Sequence, residues 1–283
     1  MPGAIVVFVV WVLVVGTASV VALWYVRTQR SYRRCDSIRE SELTIATSIT
    51  RPGMALALYL AGFASIVILC WPLGLLAHQL EHAIDWPIFR WFQARQIGSW
   101  SDLWWVLTNI GMPRLTQAVS AAGGIFFAIV WKLSGRRWWV PLAIFSTGYA
   151  LEKYIQIILQ TVVHRGHPPT TLGTYPSGGC ARVIIVYGLI VTALLIWRWP
   201  GNKFGRTVGA VVVAGVWTVQ AYARLYNLEH WTTDIVGGTI FGGLGLAVMA
   251  TCFRILTPPL DQPPVAGIQA GGSDAQRRPQ KTA

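Results

Sequence analysis

Charge is what this sequence has least of. Only 12% of its 283 residues are Asp, Glu, Lys or Arg, against 54% hydrophobic residues, and the mean hydropathy is +0.50. Those values exclude a water-soluble core and indicate a polytopic membrane protein. Cysteine is scarce as well: Cys35, Cys70, Cys180 and Cys252 fall in different segments without metal-ligand spacing and read as free thiols. No metal and no cofactor are expected. The chain has no internal repeat and no Walker-type or dinucleotide glycine loop. The first apolar run lacks the basic leader and small-residue cleavage site of a signal peptide, so it reads as a retained helix.

Acidic residues number 11 against 23 basic ones, a formal charge of +12. The basic residues lie in short connections between apolar runs, which is the positive-inside pattern and not a nucleic-acid footprint. Fifteen tryptophans suit headgroup depth. Seven spans are expected, at 4–26, 54–77, 115–131, 139–163, 183–197, 208–222 and 233–253. Arginines 27, 30, 33, 34, 39 and 51 put the first connection inside and the N-terminus outside. Residues 78–113 mix charges with Trp86, Trp91, Trp100, Trp104 and Trp105, which predicts one or two amphipathic helices in the outer interface. From 256 onward the chain reads as a disordered cytoplasmic tail. The expected fold is all-α: a membrane bundle of six helices over 54–255, preceded by one extra N-terminal helix in 1–53.

Two polar stretches interrupt this apolar texture, and the alternation places both on the outer face. One is the loop 164–179. The other, from Tyr222 to Asp234, holds Arg224, Glu229, His230 and Asp234, and ionisable groups at a membrane boundary mark function by default. His230 and Asp234 are four apart, so the carboxylate can hold the imidazole. Arg224 requires a turn around Tyr226 and Asn227 to join them. An arginine fork, the Ser177 hydroxyl and the amides around Gly178 and Gly179 suit phosphate oxygens, with His230 as a nucleophile. The competing structural reading pairs Arg224 with Glu229 or Asp234, leaving His230 as a helix cap. Glu229 is otherwise expected to face solvent or a basic loop residue, Trp231 to anchor at the interface, and Glu152 and Lys153 to pair structurally.

These residues resemble the motifs of the type 2 phosphatidic acid phosphatase superfamily. Its third motif, Ser-Arg, five residues, His, three residues, Asp, is matched by Arg224, His230 and Asp234 with Ala223 for the Ser. Its second, Pro-Ser-Gly-His, is matched by Pro176, Ser177 and Gly178, with Gly179 for the His. In the first, Gln160 and His167 stand for Lys and Arg before Pro168. The resemblance implies His230 as nucleophile, Asp234 as its orienting partner, Arg224 as phosphate ligand, and Ser177 and Gly178 lining the pocket. It also implies that the leaving-group acid is missing at Gly179, with His164 or His167 as replacement acids and Arg165 or Arg182 as replacement cations. The expected activity is a lipid phosphate or polyprenyl diphosphate phosphatase of the plasma membrane, working at the outer leaflet. Alternatives are a weakened relative that binds phosphorylated lipid or supports a membrane complex, alone or as a homo-oligomer, and a lipid-phosphate transporter.

Overall fold

The computed structural model describes residues 46–170, 174–198 and 202–257. The expected first helix, its basic loop and the tail from 258 lie outside them. All described regular structure is helical: α1 (Ala46–Gln79), α2 (Trp86–Gln93), α3 (Gly98–Thr108), α4 (Pro113–Leu133), α5 (Trp139–Val163), α6 (Gly178–Arg198), α7 (Lys203–Tyr226) and α8 (Thr232–Leu256). A π-helical turn, Glu81–Asp85, joins α1 to α2. Five of these helices are long and apolar enough to cross a bilayer. The sixth long one, α5, has 25 residues and carries Glu152 and Lys153. This is a multi-pass membrane helix bundle.

Helices α6 and α8 form its centre because they are apolar on every face and leave no side for water. They pack on each other, α1 and α5 close on α8, and α7 closes on α6. Close approach depends on small residues: a Cβ on Gly242 would lie 2.9 Å from the Ala181 Cα, and one on Gly238 would lie 2.3 Å from the Ser177 carbonyl. Trp131, Phe127, Phe145 and Phe253 fill the core toward the basic end of the bundle.

Several expected boundaries shift. Helix α6 begins at Gly178, five residues before the expected span, so the polar loop ends at Ser177 and the glycines form the first helical turn. Helix α7 continues to Tyr226 and carries Arg224 in its last turn. The expected turn follows it, with Leu228 in the left-handed region at φ 57°. Where one or two amphipathic helices were expected over 78–113, the chain forms α2 and α3. Ile88, Phe89 and Phe92 form the buried face of α2, and Tyr226 ties the α2–α3 connection to α7 by accepting the Ile97 N–H at 2.8 Å.

Candidate functional site

The C-terminal ends of α1, α5 and α7 and the N-terminal ends of α4, α6 and α8 meet at one end of the bundle. Helix α5 stops where His164 adopts φ 48° with its N–H on the Gln160 carbonyl. That reversal sends Arg165 inward, and its side chain is fully buried. One guanidinium nitrogen donates to Asp234 Oδ1 at 2.7 Å and to Thr233 Oγ1 at 2.6 Å. The other donates to Asp85, from the π-helical turn, and Glu81 lies 3.7 Å from Nε. Asp85 also accepts the Thr233 N–H at 2.9 Å and its hydroxyl at 2.7 Å. Burial pushes the Asp85 carboxyl above its ordinary range, while Arg165 and the Thr233 hydrogen bonds pull it back.

His230 lies in the turn before α8 and is buried. Its Nδ1 faces Asp234 Oδ2 at 3.6 Å, and the same oxygen accepts the Trp231 N–H at 3.2 Å. Asp234 is thereby held by Arg165 on one oxygen and by the helix N-terminus on the other. Its backbone carbonyl accepts the Ser177 N–H at 2.9 Å, which locks the two motif segments together. The Ser177 hydroxyl is fully buried and has no nitrogen or oxygen partner among the described residues, with the Cys180 thiol beside it. The first-turn amides of Gly178 and Gly179 follow, where a helix presents N–H groups to an anion.

Arg224 bonds to Glu229 and approaches the Met112 sulfur at 3.5 Å. Glu229 also accepts the Thr108 hydroxyl at 3.2 Å and is buried. The expectation that Glu229 faces solvent or a loop is therefore corrected. Thr108 and Gly111, at the end of α3, offer it and its neighbours polar groups that water would otherwise supply. Part of the structural reading thus holds, because Arg224 pairs with Glu229, whereas His230 faces Asp234 and the pair remains intact.

Arg182 donates to Glu152 at 2.9 Å, to Gln156 at 3.1 Å and to the Gly111 carbonyl at 3.1 Å. Glu152 thus pairs with a neighbouring helix. Gln220 completes this wall by accepting the Gly111 N–H at 2.9 Å and donating to the Thr108 carbonyl at 3.2 Å.

The backbone at Gly179 is occupied territory. A Cβ there would lie 2.9 Å from Arg224 Nη2, 3.0 Å from its Nε and 3.1 Å from the Gln220 amide. The guanidinium therefore takes the space beside position 179 that a histidine needs. At Gly178 a Cβ would lie 2.3 Å from the Gln156 amide.

His167 and Gln160 are not drawn into this network among the described contacts. His167 is exposed and its Nδ1 meets the carbonyl of its own neighbour Pro168 at 2.7 Å, and His164 is exposed. Gln156, one helical turn before Gln160, is the α5 amide that faces the site. Trp231, expected at the interface, is 2% exposed and donates to the Gly166 carbonyl at 3.1 Å. It packs on Trp86 and Phe89, with ring centroids 5.3 and 5.6 Å away, so α2 roofs the turn that carries His230.

No family model and no curated protein matches the chain. Among solved structures it is similar to a transmembrane PAP2 type phosphatidylglycerolphosphate phosphatase from Bacillus subtilis, at a TM-score of 0.56 and 16% identity, over 67% of this chain and 93% of that one. The fold is that of a transmembrane PAP2 type phosphatase. Within this PAP2 type fold, the groups that sequence reading missed are Glu81, Asp85, Gln156 and Gln220. A buried carboxylate in a membrane protein requires a partner, and that rule marks Asp85 as a candidate. Its partner Arg165 is 80 positions away, so no local spacing reveals the pair.

Proposed function

We propose that the chain is a membrane phosphatase or phosphotransferase for a lipid phosphate or polyprenyl diphosphate, working through a phosphohistidine at His230. The observation that carries this reading is the His230 Nδ1 to Asp234 Oδ2 approach at 3.6 Å, at the helix end where Ser177 and the Gly178 and Gly179 amides converge. With Nδ1 toward the carboxylate, Nε2 is the atom available to phosphorus. It forms the N–P bond as the P–O bond to the lipid breaks, and water then cleaves N–P to give inorganic phosphate. Asp234 fixes the tautomer and stabilises the positive charge that develops on the ring. The Ser177 hydroxyl, beside the Cys180 thiol, and the Arg224 Nε are buried without a nitrogen or oxygen hydrogen-bond partner among the described residues, and both are donors that suit phosphoryl oxygens.

Gly179 cannot protonate a leaving group, a loss of roughly 10²–10⁴ in rate for an alkoxide. A diphosphate loses less, because phosphate already leaves as a stable anion. The reading therefore favours polyprenyl diphosphates over simple monoesters. By the basic connections, the site faces outward from the plasma membrane, with the C-terminus in the cytoplasm.

A second reading, binding of phosphorylated lipid without turnover, is favoured by the pairing of every candidate cation. Arg165 is held by Asp85 and Asp234, Arg182 by Glu152, and Arg224 by Glu229. The deciding experiment is phosphate release from a panel of lipid monophosphates and polyprenyl diphosphates by the purified full chain, with His230→Ala as control. Release by wild type that falls on the order of 10⁴-fold or more in His230→Ala supports the enzyme. Equal release by both sinks it. Saturable lipid binding without release from wild type selects the second reading.

A further inference from the structure

Toward the opposite end of the bundle, α6, α7 and α8 enclose a shallow apolar groove of about 100 Å³ that is open along one side. Small residues carve it, Gly188, Gly209, Ala210, Ala214 and Gly243 among them, and Trp217 closes its deep end. Apart from Arg206, the polar side chains of its wall are already satisfied: the Trp217 indole donates to Thr239 at 3.1 Å, Thr239 to the Ile235 carbonyl at 2.7 Å, and Thr192 to the Gly188 carbonyl at 2.8 Å. The wall thus presents hydrocarbon to hydrocarbon and gives water no site.

Arg206 stands at the other limit of the groove, near the N-terminus of α7, and its Nε is buried without a hydrogen-bond partner among the described residues. From Arg206 to Trp217 the helix rises about 16 Å, close to half of the ~30 Å hydrocarbon thickness. The groove therefore matches one leaflet in depth. Arg198, at the end of α6, and Lys203, at the start of α7, lie at the same end of the bundle, and the start of α7 adds the positive end of a helix dipole. Among the described residues no Asp or Glu lies at this end; Glu81, Asp85, Glu229 and Asp234 all belong to the opposite one.

From this pairing of an apolar slot with a guanidinium that has no carboxylate partner among the described residues, we infer a binding site for one anionic phospholipid of the leaflet at the basic end. One acyl chain lies along Ala210, Ala214 and Trp217, and the headgroup phosphate meets Arg206. This site is separate from the His230 site and stands whether or not the phosphatase reading does.

The test uses the full chain in phosphatidylcholine nanodiscs doped with phosphatidylglycerol or phosphatidylcholine carrying a diazirine midway along one acyl chain. After irradiation, labelled peptides are mapped. The phosphatidylglycerol probe is expected to label 184–195 and 206–217 about fivefold more than the phosphatidylcholine probe, the factor for one basic side chain at headgroup depth. Arg206→Gln removes that difference, and Ala214→Phe, which fills the groove from its lipid-facing side, lowers labelling by both probes. Equal labelling of these peptides by the two probes, or an unchanged ratio in Arg206→Gln, overturns the site. Competition in wild type by unlabelled phosphatidylglycerol against unlabelled phosphatidylcholine decides the same question without any variant, and equal competition also overturns it.

Discussion

Gly179 shows why a single position cannot be judged from its motif alone. In the sequence it is a histidine's place held by glycine, and the natural inference is a lost acid. In the structure it is also the residue against which the Arg224 guanidinium lies, with no room for a Cβ at 2.9 Å. Restoring a side chain there displaces the cation before it can add any chemistry. Gly179→Ala is therefore expected to raise KM for phosphate release about tenfold, with larger losses if Arg224 moves by a full ångström, and steady-state kinetics on a polyprenyl diphosphate checks it. A KM equal to that of wild type would show that Arg224 shifts freely.

The His230–Asp234 pair was legible from spacing alone. Arg165 was legible as a cation near the site, but not as the ligand of Asp234, because its carboxylate partners come from α8 and from the turn after α1. Those contacts depend on folding and leave no trace in spacing.

Among the elements, the π-helical turn Glu81–Asp85 has most influence over the site for its size. It supplies a buried carboxylate that binds both Arg165 and the first turn of α8. Asp85→Asn leaves Arg165 with Asp234, the Thr233 hydroxyl and the more distant Glu81, and is expected to lower phosphate release about tenfold, with Asp85→Glu recovering part of it. The pH dependence follows from the raised carboxyl. On acidification Asp85 takes its proton above the ordinary 3.8, so the ion pair is whole above the raised value and lost as pH falls through it. Stability has the opposite sign: the folded state holds this proton more tightly than the unfolded chain does. The protonated group favours folding below 3.8, and that contribution is lost as pH rises through the raised value. A pH-rate profile of wild type and Asp85→Asn measures the first effect, and acid-range melting measures the second. Identical acid limbs in the two proteins would remove Asp85 from the mechanism.

The long helices were readable because an apolar run of bilayer length has few other interpretations. Their ends were not, since Gly178 and Gly179 read as loop residues until Gln156 of α5 and Arg224 and Gln220 of α7 are seen to enclose them.

For the whole molecule, the described carboxylates gather toward the site end, while Lys132, Arg136, Arg137, Arg198, Lys203, Arg206 and Arg254 occupy the other. The segregation predicts a single orientation. Ala94→Cys, in the exposed link between α2 and α3, is expected to react with a membrane-impermeant maleimide on intact cells. Ser134→Cys, between α4 and α5, is expected to react only after permeabilisation. Cys35 is replaced by serine in both variants; among the described residues Cys70, Cys180 and Cys252 are buried and contribute little background. The reverse pattern would place the site in the cytoplasm.

The carboxylates of the site end are matched by Arg165, Arg182 and Arg224, so among the described residues the excess positive charge lies at the other end of the bundle. A membrane potential acts on that charge with about 2.3 kcal/mol per elementary charge per 100 mV. An inside-negative potential therefore favours the orientation with the basic end inward by an energy that grows with each arginine, and collapsing the potential removes that bias without touching a single contact within the protein.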